Sequence, residues 1–212
     1  KQIYVPLGVK KAALKDKMPT KQSDVLNLLY VGTIEKRKGL LYLVESLKLL
    51  SNSIKTFKCH IVGKVVEEDY KAEIDKKIVE YQLTDNVIFH GRLSNQDLDA
   101  IYSNSDIFVF PSMLEGYGMV LLEAMSYSLP IVAFDNSAMP YTVKTGETGI
   151  LVENKNIELN DGTTKVIFNS SAYEKENNLE ISAFLKYIKT KVPTSNFTDR
   201  LHRLVEEHKL NN

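Results

Sequence analysis

The apolar positions of the chain fall into two alternating rhythms. Short, nearly continuous apolar runs recur at residues 27–32 (NLLYVG), 57–63 (FKCHIVG), 86–90 (NVIFH), 106–110 (DIFVF), 130–134 (PIVAF) and 149–152 (GILV). Runs this short and this apolar, bounded by turn-forming residues, read as strands buried on both faces. Between them the spacing lengthens to that of helices. Residues 39–51 carry Leu40, Leu43, Val44 and Leu47 on one stripe, and residues 67–82 carry Tyr70, Ile74, Ile78 and Tyr81. SNQD at 94–97 has the form of a capping box, with Ser94 as N-cap and Asp97 in the Glu/Gln place, opening a helix through about Tyr102. Pro111 has no N–H to give a sheet ladder, so the fourth strand ends there, and a further helix follows Gly118. This alternation predicts an α/β fold, a Rossmann-like doubly wound parallel sheet of about six strands with helices on both faces.

The pattern changes towards the end. Residues 153–178 are rich in Asn, Asp, Ser and Glu, and NDGTT followed by KVIF reads as a hairpin around Asp161-Gly162. Residues 179–190 and 197–210 read as two amphipathic helices divided by Pro193. The opening KQIYVPLGVK has no Met and no secretory h-region, and contains an extended V-P-L-G segment. The expectation is a single domain, residues 1–212, cut from a longer chain.

Composition narrows the function classes. Lys+Arg and Asp+Glu both number 27, for a net charge of zero, which argues against a general nucleic-acid binder. The 43% hydrophobic content over 212 residues is enough for a sizeable core. The only cysteine, Cys59, lies in an apolar run and reads as a core residue; alone it forms no internal disulfide, which fits a reducing, cytoplasmic setting. No stretch reaches the ~18–20 apolar residues needed to span a bilayer.

The chemistry concentrates in PSMLEGYGMVLLEAM, residues 111–125. In an open parallel sheet, ligands bind beyond the carboxyl ends of strands, beside helix N-termini. The helix starting near Gly118 presents free N–H groups and a positive dipole end, suited to a phosphate or diphosphate. Gly116 and Gly118 let the backbone turn sharply there. Glu115 stands just before that anion site, and Glu123 lies about a turn and a half into the helix. Carboxylates are pure acceptors that match the vicinal hydroxyls of a sugar. Arg37 and Lys38, in VGTIEKRKG after the first strand, can neutralise a diphosphate and the charge that develops as it leaves. Each feature alone has an ordinary reading, a solvated helix residue or a charged loop. A dinucleotide fingerprint is excluded, because its third glycine would fall at Leu121.

Taken together these segments resemble the E-x7-E signature of retaining glycosyltransferases of the GT-B fold, the large family four, also described as group 1 glycosyl transferases. LLYVGTIEKRKGLLYLVESL, HIVGK, NVIFHGRLSNQDLDAIYSNSDIFVFPS, SLPIVAF and GETGILVE resemble that family's segments in the same order, over about residues 1–153. NFTDRLHRLVEEHKL resembles its closing helix, and VPLGV at 5–9 its interdomain segment.

The resemblance implies the C-terminal, donor-binding half of a two-domain enzyme, with the N-terminal acceptor domain absent. It implies a UDP- or GDP-sugar donor, a glycan or lipid-linked acceptor, no metal, and peripheral association with the inner face of a membrane through the missing half. It assigns Glu115 to the transferred sugar and to charge at the reaction centre. It assigns the backbone of Gly116, Tyr117, Gly118, Met119 and Val120 to the sugar and diphosphate. Glu123 would take the ribose hydroxyls, and Lys38 with Arg37 the diphosphate. Gly32 and Thr33 form the turn after the first strand, and the backbone around Arg92 and Leu93 would flank the base. The family's arginine after that turn's glycine is Thr33 here, and its interdomain asparagine is Leu7. Residues 154–178 have no counterpart. The loss of that arginine leaves open a second reading, a non-catalytic Rossmann-like interaction module.

Overall fold

The computed structural model describes residues 25–52, 56–145 and 147–152. Six strands, β1 (Leu26–Val31), β2 (Phe57–Val62), β3 (Val87–Gly91), β4 (Ile107–Phe110), β5 (Ile131–Phe134) and β6 (Gly149–Val152), form one sheet in the order β3-β2-β1-β4-β5-β6. Every neighbouring pair is parallel. The helices are α1 (Leu40–Ser51), α2 (Glu68–Glu80), α3 (Asn95–Asn104), α4 (Met119–Ser126) and α5 (Met139–Thr142). Strand order runs outward from β1 to β3 and then, from β4 to β6, in the opposite direction. Right-handed crossovers therefore put the helices of the two halves on opposite faces.

The expected apolar stripes face inward. α1 buries Leu40, Leu43, Val44 and Leu47, together with Leu41 and Leu50. α2 buries Tyr70, Ile74 and Ile78, while Tyr81 caps it half-buried. All four residues of β4 are buried, as the unbroken apolar run predicts. Cys59 is fully buried and burial pushes its thiol up to about 12, so it is an inert core residue.

Strand ends agree with the sequence pattern to about one residue. Two short elements were not anticipated: a 3-10 turn at Lys36–Lys38, and α5, which has a proline in its first turn. The capping box is also different in detail. Ser94 Oγ accepts the Asp97 N–H at 3.2 Å as expected, but the Asp97 carboxylate takes the Ser94 hydroxyl at 2.7 Å. Aspartate is one methylene shorter than the usual glutamate, so it bonds the hydroxyl in place of the Ser94 backbone N–H. The VPLGV segment, the hairpin near Asp161-Gly162 and the helices at 179–190 and 197–210 lie outside the described residues. Among the described residues no helix is long and apolar enough to cross a membrane.

The order reverses between β1 and β4, which pair at Leu28 with Ile107 and Leu29 with Phe108. A crevice opens at such a reversal, between the loops that leave the two strands. Those loops are bound to one another. The Met113 N–H donates to the Arg37 carbonyl at 2.8 Å, and the Ser112 hydroxyl reaches the same oxygen at 3.4 Å. Gly39 sits at φ 69, and a Cβ there would stand 1.9 Å from the Pro111 carbonyl oxygen. Only glycine permits both that backbone conformation and that approach.

Candidate functional site

The crevice is a cleft of about 380 Å³, lined by Val31 and Gly32 after β1, Lys38 from the 3-10 turn, Phe110 at the end of β4, and the run from Glu115 to Val120. Lys38 is 8% exposed. Its ammonium lies 5.3 Å above the Phe110 ring and pairs with Glu115 Oε1. The Ser112 hydroxyl donates to the same carboxylate oxygen at 3.2 Å. A buried lysine and a mostly buried glutamate are thus matched in charge at the floor of the cleft, as burial of ions requires.

Arg37 stands beside this pair but outside the lining. Its guanidinium is 3.8 Å from Glu115, while its closer bonds go to Glu35 Oε1 at 2.9 Å and the Leu114 carbonyl at 3.1 Å. The Thr33 hydroxyl donates to Glu35 as well, and the Tyr30 phenol donates to the Thr33 carbonyl at 3.0 Å. Burial, reinforced by Tyr70, Glu115 and Glu35, holds the Tyr30 phenol well above its usual range, so it remains a donor. Thr33 therefore serves the turn that carries Arg37 and does not itself line the cleft.

The opposite wall is the start of α4. Gly118 caps it at φ 71 without any side-chain bond, and Met119 and Val120 in its first turn line the cleft. The free N–H groups and positive dipole end of the helix are available there. Gly116 is exposed, and a Cβ on it would meet nothing within 4 Å, so the space beside it belongs to the cleft.

Three of the candidate residues lie elsewhere. Glu123, the fifth residue of α4, points its Oε2 at the hydroxyl of Tyr102 on α3, 3.3 Å away. Arg92 is exposed and Leu93 half-buried after β3, the edge strand two places from β1. His90, in β3, meets His60 of β2, with ring nitrogens 2.9 Å apart and rings stacked at 5.2 Å. Burial holds both imidazoles below their usual range. Among the described residues no three His, Cys, Asp or Glu gather as metal ligands. The contributions that sequence patterns did not single out are Val31 and Phe110 in the lining, Ser112 and Glu35 behind the ions, and Tyr102 behind Glu123. Of these, only Ser112 carried a signal, its place directly after Pro111 at the end of a buried strand.

The structure is a doubly wound parallel α/β domain, the class in which ligands bind in the crevice at the switch point. The sequence model of the family described as Glycosyl transferases group 1 matches residues 13–183, and the chain belongs to that family. It is 31% identical over 140 residues to the capsular polysaccharide biosynthesis glycosyltransferase CapM of Staphylococcus aureus, covering 66% of this chain and 36% of that protein. The structure superposes on the C-terminal domain of the group 1 protein LpcC of Francisella tularensis with a TM-score of 0.58 at 23% identity, covering 87% of this chain and 86% of that one. It superposes on Anabaena HepE, solved with UDP and glucose, with a TM-score of 0.57 at 18% identity, covering 89% of this chain and 49% of that one. The chain spans 36–38% of the length of the first curated relatives it matches.

Proposed function

We propose that this chain is the donor-binding half of a retaining glycosyltransferase that moves a hexose from a UDP- or GDP-sugar to a glycan or lipid-linked acceptor. The acceptor would be held by an N-terminal domain of the same protein, which would also carry any association with the inner face of the cytoplasmic membrane. The observation that carries the reading is the Lys38–Glu115 pair on the floor of the switch-point cleft, opposite the uncapped start of α4.

The chemistry follows from that arrangement. A diphosphate entering the cleft competes for Lys38 and meets the N–H groups of Met119 and Val120. Lys38 then exchanges Glu115 for phosphate, and the released carboxylate accepts from a sugar hydroxyl. When the anomeric C–O bond breaks, its electron pair goes to the phosphate oxygen, where Lys38 and the helix end stabilise the new charge. The acceptor oxygen bonds to the anomeric carbon on the same face, and its proton passes to the departing phosphate oxygen. The retaining outcome rests on the resemblance of residues 111–125. Neutralisation by lysine and backbone makes a metal unnecessary in this scheme. Glu123 is assigned to the ribose, and the backbone near Arg92 and Leu93 to the base.

Calorimetric titration of the chain with UDP- and GDP-sugars tests the assignment. Lys38→Ala and Glu123→Ala should each weaken binding by about tenfold or more, the loss of one charge-assisted contact. Unchanged affinity in both variants removes the site. The reading as a non-catalytic module draws on Thr33 and on the engagement of Arg37 by Glu35. Transfer by the full-length parent in EDTA, with the anomeric configuration read by NMR, separates the two and tests the metal-free, retaining scheme.

A further inference from the structure

The Tyr102 ring is 2% exposed and lies in an aromatic stack, 4.8 Å from the Tyr127 ring at an interplanar angle of 5° and 6.0 Å from Phe108. A phenylalanine would fill that place equally well. The hydroxyl is therefore the part of the residue that packing does not account for, and it reaches Glu123 Oε2 at 3.3 Å. The neighbouring phenol of Tyr127 is directed elsewhere, to Asp99 Oδ1. Burial first, and then the Glu123 charge, raise the Tyr102 phenol far above its usual range, so it stays a neutral donor beside the carboxylate. A carboxylate has about four lone-pair positions, so one phenol bond leaves capacity for a diol.

We infer that Tyr102 is a positioning residue. It fixes the Glu123 carboxylate on α4 in the orientation that accepts the ribose hydroxyls of the donor nucleotide. The inference rests on the donor-site reading given above. A glutamate held by a rigid buried ring keeps one rotamer before the ligand arrives, and so loses less side-chain freedom on binding. The specificity this adds is for a ribonucleotide over its deoxy counterpart.

The test is calorimetric titration of the chain with UDP, 2′-deoxy-UDP, GDP and 2′-deoxy-GDP. Tyr102→Phe removes one oxygen and keeps the ring in its stack, and a melting curve verifies the fold. The unsubstituted chain should prefer the ribose form about tenfold, and Tyr102→Phe should lower that ratio about fivefold, weakening the ribose form more than the deoxy form, which keeps only its 3′-hydroxyl for Glu123. Tyr127→Phe, which alters the same stack without touching Glu123, should keep the full ratio. A Tyr102→Phe ratio equal to that of the unsubstituted chain overturns the inference, as does an equal fall in Tyr127→Phe. An unsubstituted chain that binds the nucleotides without ribose preference overturns the Glu123 assignment and this inference with it. Failure to bind any nucleotide overturns the donor-site reading as a whole.

Discussion

α1 and α4 both begin on a glycine in the left-handed region, Gly39 at φ 69 and Gly118 at φ 71, and neither start has a side-chain cap. They differ in what stands in front of them. At α1 the Leu41 N–H donates to the buried hydroxyl of Tyr70 at 3.0 Å, and Gly39 lies against the Pro111 carbonyl. The protein itself closes that helix end. At α4 the first turn opens on a cleft whose far side is Lys38. A helix N-terminus thus stays open to an anion from outside where the fold supplies no acceptor of its own. The local sequences, KGLLY and YGMVL, are alike, so the distinction is made by residues far away in the chain.

The glycines should separate most sharply. Gly39→Ala should destabilise the fold by about 3 kcal/mol or more, since both the left-handed backbone and the Pro111 oxygen oppose a Cβ. At Gly118 the nearest atom to a new Cβ is Leu121 Cδ1 at 3.0 Å, a side-chain end that can move. Gly118→Ala should therefore cost only about 1–2 kcal/mol from its backbone conformation. Urea denaturation of both variants measures the difference, and equal losses would erase the distinction between a packed and an open start. Next in size, Tyr70→Phe should remove about 1–3 kcal/mol, because the Leu41 N–H is left buried without an acceptor. Its nucleotide affinity should not change; a fall in affinity would mean that the two helix ends are coupled.

A smaller effect is expected from acid. The folded-state values of His60 and His90 are depressed, so the unfolded chain binds protons more readily than the folded one. Their contribution is present above the ordinary histidine value and is lost as the pH falls below about 6.5 through the depressed folded values. The melting temperature should drop between pH 7.5 and 5, and the slope should flatten in a His60→Gln variant. The slightest change expected is in Glu35→Gln, which loosens Arg37 towards the cleft and should tighten nucleotide binding by about two- to threefold.

Much of this architecture was legible in the chain, and for identifiable reasons. Unbroken runs such as Ile107–Phe110 announce strands buried on both faces, and the Leu40, Leu43, Val44, Leu47 stripe announces a helix. α5 escaped because four residues carry no period, and the 3-10 turn because its Lys-Arg-Lys run reads as loop. In the site, Lys38 and Glu115 could be named from their segments. Their direct contact could not, since it joins residues 77 apart in sequence. The same holds for Ser112 under Glu115 and Tyr102 behind Glu123: a serine after a proline or a tyrosine in a helix gives no sign of its partner. Arg37 shows the converse, a cation well placed in sequence whose closest carboxylate, Glu35, only the folded turn discloses.

The seam between β1 and β4 has a consequence for how the molecule holds together. The walls of the cleft come from two stretches that the chain makes separately, joined between the loops after β1 and β4 by Gly39 against Pro111 and by Met113 on the Arg37 carbonyl. A nucleotide seated there would act as a clasp across that seam. Resistance to unfolding would then rise with the nucleotide concentration relative to its Kd, and heat would release the ligand and open the sheet in one event.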